Sequence, residues 1–447
     1  MEKTKKYCEI GRIITKCFCK KTCEKNIRNP LTRKKKVYIL KTERCSGNDV
    51  PKKDERRTYL MKDRFVAKKY WKDEITVMSQ TDELAKQFDD VIDLSLGDPD
   101  INTDRIIIDH VYQDMLAGHT KYTDFRGDPE LREEIAKFYK DEYNYEIADE
   151  EICVTASGTH AMCLTFCAVL DPGDEVIIHA PYYTYYLNQI HFAGGIPVIL
   201  DCYEEEDFQI DLKRMEKLIT ERTKAIIVNT PNNPSGACMN KEILQGVARL
   251  AQQYDLLIVA DDIYTAYSYE EPFLPIMTFE GMRERTITLN SFSKDYIMTG
   301  WRVGSIIAPP NIIKAVHAVN DAVMFTAPAM SQRGAIYAIR NRKTIQPPIV
   351  EEFKKRMIYA AKRINAMKNI SCLPPRGAFY LLINIKGLQM SSEEASRLLL
   401  EKAHVLTVPA TCFGDCGEGY LRICCTKSID VLKEAFDRLE QVKELVE

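Results

Sequence analysis

Asn290-Ser291-Phe292-Ser293-Lys294-Asp295-Tyr296-Ile297-Met298-Thr299-Gly300-Trp301-Arg302-Val303-Gly304 is the most informative stretch of this 447-residue chain. It grows out of an apolar run, residues 286–292, that reads as a buried strand. Lys294 therefore falls near the carboxyl end of that strand, where open α/β sheets place their ligands. A lysine there can form a Schiff base with an aldehyde cofactor, provided its amine is partly neutral. Ser291 and Arg302 flank it with a hydroxyl and a guanidinium, which suit a phosphate. A lysine alone reads as an ordinary surface charge; the whole string does not.

Further short apolar runs lie on both sides of this stretch: 152–156, 175–180, 196–201, 224–229, 256–262 and 303–308. Many are separated by helical patterns such as 241–254. Turn signals separate them as well, among them Asp171-Pro172-Gly173-Asp174 and Pro231-Asn232-Asn233-Pro234-Ser235-Gly236. Seven such runs predict a largely parallel, buried sheet with helices on both faces. Asp128-Pro129-Glu130 has the form of an N-cap, a proline at the first helical position and an early acid, which opens a helix through about Tyr143. Residues 349–367 read as a long helix leading into a second, C-terminal unit. There is no internal repeat, no GxGxxG and no P-loop.

Length and composition set the frame. A chain this long exceeds one ordinary core. Hydrophobic residues at 45% and charged residues at 28% are ordinary for a soluble globular protein. The net charge of -3 gives no reason to expect a nucleic-acid or membrane partner. Residues 1–60 stand apart, with 19 Lys+Arg against 7 Asp+Glu. They carry five cysteines (Cys8, Cys17, Cys19, Cys23, Cys45), no histidine and no CxxC spacing, so zinc is not expected. A single serine, Ser46, and many acids argue against a transit peptide. The segment reads as a disordered basic extension, or Met61 is the true start. Fifteen cysteines, several in apolar stretches, with no apolar run of about 20 residues, point to a reduced cytoplasmic protein.

The lysine string resembles that of fold-type I pyridoxal-phosphate (PLP) enzymes, specifically the class I/II aminotransferases of the aspartate aminotransferase superfamily. Ser291, Ser293, Lys294, Gly300, Arg302 and Gly304 match in order, and the resemblance runs from about residue 61 to the C-terminus. It implies an α/β fold: a large domain with a mostly parallel seven-stranded sheet sandwiched by helices, plus a smaller α/β domain from the N- and C-terminal parts. The expected division is an extension at 1–60, an arm and part of the small domain at 61–105, the PLP-binding domain at 106–340 and the small domain at 341–447.

Other matches follow the family's order. Asp261, in Val259-Ala260-Asp261-Asp262-Ile263-Tyr264, resembles the carboxylate that pairs with the protonated pyridine nitrogen and keeps the ring electron-accepting. The strand's alternation leaves open which of Asp261 and Asp262 points inward; the spacing to Tyr264 favours Asp261. Tyr264 resembles the phenol that bonds the ring oxygen. Asn233, in Asn233-Pro234-Ser235-Gly236, resembles the amide reaching that oxygen and the substrate carboxylate. Ser157-Gly158-Thr159 opens a helix, whose free N–H groups suit the phosphate. Tyr183 resembles the ring that stacks on the cofactor, with Tyr182 as the alternative. Tyr122 resembles the tyrosine that reaches the neighbouring subunit's phosphate, which implies a homodimer with shared sites. Gly97 lines the substrate carboxylate pocket in this reading, and Arg422 holds that carboxylate as a bidentate pair.

The resemblance implies amino-group exchange between an L-amino acid and a 2-oxo acid through PLP on Lys294, which then moves the Cα proton. A C–S lyase, decarboxylase or synthase on the same residues is the alternative; 298–302 favours the aminotransferase. A DNA-binding regulator with an aminotransferase-like domain is a remote one, because residues 1–60 carry no helix-turn-helix pattern. Aspartate-specific relatives tend to place a lysine where Thr159 stands. With Tyr182, Tyr183, Tyr185 and Tyr186 nearby, an aromatic or neutral donor is expected.

Overall fold

A computed structural model describes residues 65–67 and 83–447. The chain divides into two units, Met1–Asp73 and Glu74–Glu447, and every element below belongs to the second. The basic extension, its cysteines and the possible start at Met61 lie outside the described residues.

The central sheet has seven strands: β1 (Ile152–Thr155), β2 (Glu175–Ala180), β3 (Ile196–Asp201), β4 (Thr223–Asn229), β5 (Leu257–Asp261), β6 (Thr286–Ser291) and β7 (Gly304–Ile307). Their spatial order is β1-β7-β6-β5-β4-β2-β3. β7 runs antiparallel to both neighbours and the remaining pairs are parallel. β2 is buried along its whole length, and β4 and β5 nearly so, as a sheet covered on both faces requires. The strands begin and end within a residue or two of the apolar runs in the sequence.

The helices that matter here are α1 (Pro129–Tyr143), α2 (Gly158–Val169), α3 (Tyr185–Phe192), α4 (Lys241–Gln253), α5 (Pro310–Val323), α6 (Ala329–Arg340), α7 (Arg342–Ile364), α8 (Ser392–Ala403) and α9 (Ile429–Leu439). α1 starts as its sequence predicts: the Asp128 side chain accepts from the Glu130 N–H, and Pro129 stands at the first position. α7 differs from the sequence reading. It begins seven residues earlier than expected, although Pro347 and Pro348 lie inside it. Its first turn is held from outside, which outweighs the lost backbone bonds. Arg342 Nε donates to Glu142 at 2.8 Å, Arg342 Nη2 donates to Asp141 at 3.1 Å, and Ile345 is buried.

Beyond α7 lies a three-stranded antiparallel sheet in which β9 (Tyr420–Cys424) sits between β8 (Tyr380–Asn384) and the short strand Val408–Pro409. The N-terminal strand Ile92–Asp93 pairs in parallel with Val405–Leu406. One apolar core joins these parts, with Leu94, Phe353, Phe379, Leu421, Ile423 and Phe436 among its buried members. No helix among the described residues is long and apolar enough to cross a membrane, and no disulfide forms among them.

Candidate active site

The carboxyl ends of β4, β5 and β6, the amino end of α2 and strand β9 open onto one cavity of about 810 Å³. Gly97, Ser157, Gly158, Thr159, Tyr183, Asn233, Asp261, Tyr264, Ser291, Lys294, Arg302 and Arg422 all line it. Tyr122, the residue expected to reach a neighbouring subunit, lies elsewhere. It is 83% exposed and its ring meets Phe325 edge-on at 5.3 Å.

Lys294 sits in a four-residue helical turn directly after β6, capped by the Ser291 hydroxyl, which accepts from the Ser293 N–H at 3.2 Å. Its ammonium donates to the Gly97 carbonyl. Burial lowers its pKa to about 8, aided by the Arg302 and Arg422 charges and opposed by Cys424 and Asp98. Gly304 makes this arrangement possible. A Cβ there would stand 2.6 Å from the Asn290 carbonyl oxygen and 2.8 Å from the Ser157 carbonyl carbon, so only glycine lets β7 pass both.

The two aspartates that end β5 point to different places. Asp261 lines the catalytic cavity and Asp262 a second, smaller chamber, as strand alternation requires. Tyr186 donates its hydroxyl to Asp261 Oδ2, while Oδ1 is buried without a hydrogen-bond partner. Burial raises the Asp261 carboxyl to about 6, opposed by the Tyr186 hydroxyl. Asn229, at the end of β4, ties the elements together. Its Nδ2 donates to the Asp261 carbonyl at 2.9 Å, and its Oδ1 accepts from the Asn233 N–H at 3.0 Å.

Arg422, on β9, is buried. Nη1 donates to Asn233 Oδ1 at 3.2 Å and Nη2 to the Ser95 carbonyl, while Nε has no partner. The Tyr264 and Tyr380 hydroxyls meet at 2.8 Å, and burial drives the Tyr264 phenol well above its usual range. A Cβ on Gly97 would lie 2.4 Å from the Tyr380 hydroxyl, so position 97 must be small. Ser157 caps α2, accepting from the His160 N–H at 3.0 Å, and holds φ 148°, a region that residues with a side chain rarely enter. Tyr182, the alternative to Tyr183, packs in the core.

Several cavity residues were not identified as site residues from the sequence: Asn229, Tyr380, Phe413 and Glu393, together with Tyr186, which braces Asp261 from behind. Asn229 did leave a trace, as a polar residue ending a buried apolar strand four places before Asn233. The residues present fit pyridoxal phosphate. A buried carboxylate oxygen and a buried guanidinium nitrogen both lack partners, a helix N-terminus faces the cavity beside Ser291 and Arg302, and a lysine amine has its pKa lowered to about 8.

The sequence matches the family described as aminotransferase class I and II over residues 89–439. It is 36% identical to an aspartate aminotransferase of Pyrococcus horikoshii, across 87% of this chain and 99% of that protein. It is 34% identical to aromatic-amino-acid aminotransferase 2 of Thermococcus litoralis, across 80% of this chain and 93% of that protein. The fold is similar to that of Thermus thermophilus aspartate aminotransferase with maleate, at a TM-score of 0.77 and 34% identity, covering 82% of this chain and 95% of that one.

Proposed function

The chain belongs to the class I and II aminotransferases, and from that premise we propose that Lys294 carries the pyridoxal phosphate and moves the substrate proton. The protein is a PLP-dependent transaminase acting on amino acids and 2-oxo acids. The observation that carries the assignment is a buried lysine amine, lowered to about 8, in one cavity with Asp261 and Arg422.

When bound, the cofactor supplies a reactive aldehyde and an electron-accepting ring. The α2 N-terminus at Ser157 and Gly158, with Ser291 and Arg302, would hold the phosphate. Thr159 stands in the same first turn. Asp261 holds a proton on the ring nitrogen, and Tyr186 keeps that carboxylate oriented. Tyr264 and Asn233 would hold the ring oxygen and Tyr183 would cover the ring. Arg422, steadied by Asn233, would grip the substrate carboxylate against Gly97, in the same cavity as the Lys294 amine. The neutral form of that amine accepts the proton, and its lowered pKa makes this form accessible near neutral pH.

We place the cofactor domain at 106–340 and the small unit at 61–105 with 341–447. Tyr122 serves the phosphate of a second copy, which makes the working form a homodimer. Donors with neutral or aromatic side chains are the substrate class. The cationic side chains that line the cavity among the described residues are Lys294, Arg302 and Arg422, each already assigned. Thr159 offers no charge, Glu393 would repel a second carboxylate, and Tyr183, Tyr185 and Phe413 offer apolar surface.

The test is the visible absorption of the purified protein during titration with L-amino acids. A band that fades with neutral or aromatic donors and returns with a 2-oxo acid is expected. Aspartate as the strongly preferred donor overturns the substrate class. Release of pyruvate and ammonia, or loss of the carboxylate, overturns the exchange. A band that survives in Lys294→Ala overturns the lysine.

A further inference from the structure

Asp262 and Asp295 each follow a residue of the catalytic cavity, Asp261 and Lys294, yet both line a separate chamber of about 40 Å³. That is room for a few water-sized particles. No Lys, Arg or His stands among the described residues around it. Asp262 Oδ2 and Asp295 Oδ1 are buried with no hydrogen-bond partner, at residue exposures of 4% and 7%. The other Asp295 oxygen accepts from the Thr265 hydroxyl at 2.8 Å and the Ala266 N–H at 3.3 Å. The Ser305 hydroxyl, on a residue 1% exposed, lines the same chamber and is also unpartnered. Asn290 and Tyr139 close the wall, the Asn290 amide donating to the phenol at 3.0 Å.

Two carboxyls buried in one chamber without a positive partner are costly to ionise together, and burial pushes both toward the neutral form. A proton or a cation must supply the charge. We propose that the chamber binds a monovalent cation, potassium or sodium, between Asp262 and Asp295 and beside the Thr265 and Ser305 hydroxyls.

The donors are all hard oxygens, which suits alkali and alkaline-earth ions over zinc or copper. Burial raises the pKa of both carboxyls, so one keeps its proton and the single remaining negative charge suits a monovalent ion. A wider cleft of about 440 Å³ shares Phe138, Thr265 and Gln346 with the chamber. The ion pins the two residues that adjoin Asp261 and Lys294 in the chain. It thereby steadies both catalytic groups from the side away from substrate.

The experiment is thermal unfolding of the holoenzyme in chloride salts of choline, sodium, potassium and magnesium at matched ionic strength. Sodium or potassium is expected to raise the Tm over choline by about 2 °C or more. Asp262→Asn with Asp295→Asn erases that gain, while the cofactor's visible band reports an intact site. Ser305→Ala, which keeps both carboxylates, shifts the midpoint of the effect to higher cation concentration. Equal Tm in all salts overturns the proposal. So does a gain from magnesium alone, or one that persists in the double variant. Should the double variant not fold, an unchanged midpoint in Ser305→Ala overturns it.

Discussion

Lys294 binds a proton less readily when folded than when unfolded, which makes its charge measurable as stability. Its pKa falls from 10.5 to about 8, so below pH 8 both states carry the proton and the burial cost is present in full. Between pH 8 and 10.5 the unfolded chain holds more protons, and stability rises with pH. Lys294→Met should therefore make the cofactor-free protein more stable at pH 7, by on the order of 3 kcal/mol. The difference should shrink as pH approaches 10.5. Denaturant unfolding of both apo proteins at pH 7 and pH 10 checks this. Arg422→Lys keeps the charge but loses the fork, and KM for the donor should rise about 10- to 100-fold in steady-state assays. Lys294, Asp261 and Arg422 were legible in the sequence because each sits in a string of fixed spacing. Tyr186 and Tyr380 were not, because they meet Asp261 and Tyr264 only across 75 and 116 residues of chain.

Among the elements, the amino end of α2 carries a strained residue. Ser157 holds a backbone conformation suited to glycine while its hydroxyl caps the helix. Ser157→Gly should relieve the strain and lose little as a cap, raising apo stability by about 1 kcal/mol. The lost hydroxyl should weaken cofactor retention about ten-fold, read by equilibrium dialysis against free PLP. Gly97→Ala acts in the other direction. Its methyl collides with the Tyr380 hydroxyl and so disturbs the Tyr264–Tyr380 contact; activity should drop with the large sheet intact. Strand positions were legible because buried parallel strands are unbroken apolar runs with turn residues between them. The start of α7 was not, because its determinants, Glu142 and Asp141, lie on another helix. Nor could spacing alone reveal that Asp262 and Asp295 share a chamber.

For the whole molecule, the proposed homodimer has candidate contact residues. Tyr112, Leu116, Tyr122 and Val323 are more than half exposed, and Phe325 touches the Tyr122 ring. Apolar groups left open in this way commonly mark an interface. Leu116→Glu with Val323→Glu should shift sedimentation from dimer to monomer and loosen the cofactor.

Arg422 carries a last consequence. It bonds Ser95, 327 positions earlier, and Asn233, 189 positions earlier, while the Cys424 N–H donates to the Leu94 carbonyl. Contacts that span so much chain form late. In the proposed assignment, every residue of the cofactor cradle is synthesised before the arginine assigned to the substrate.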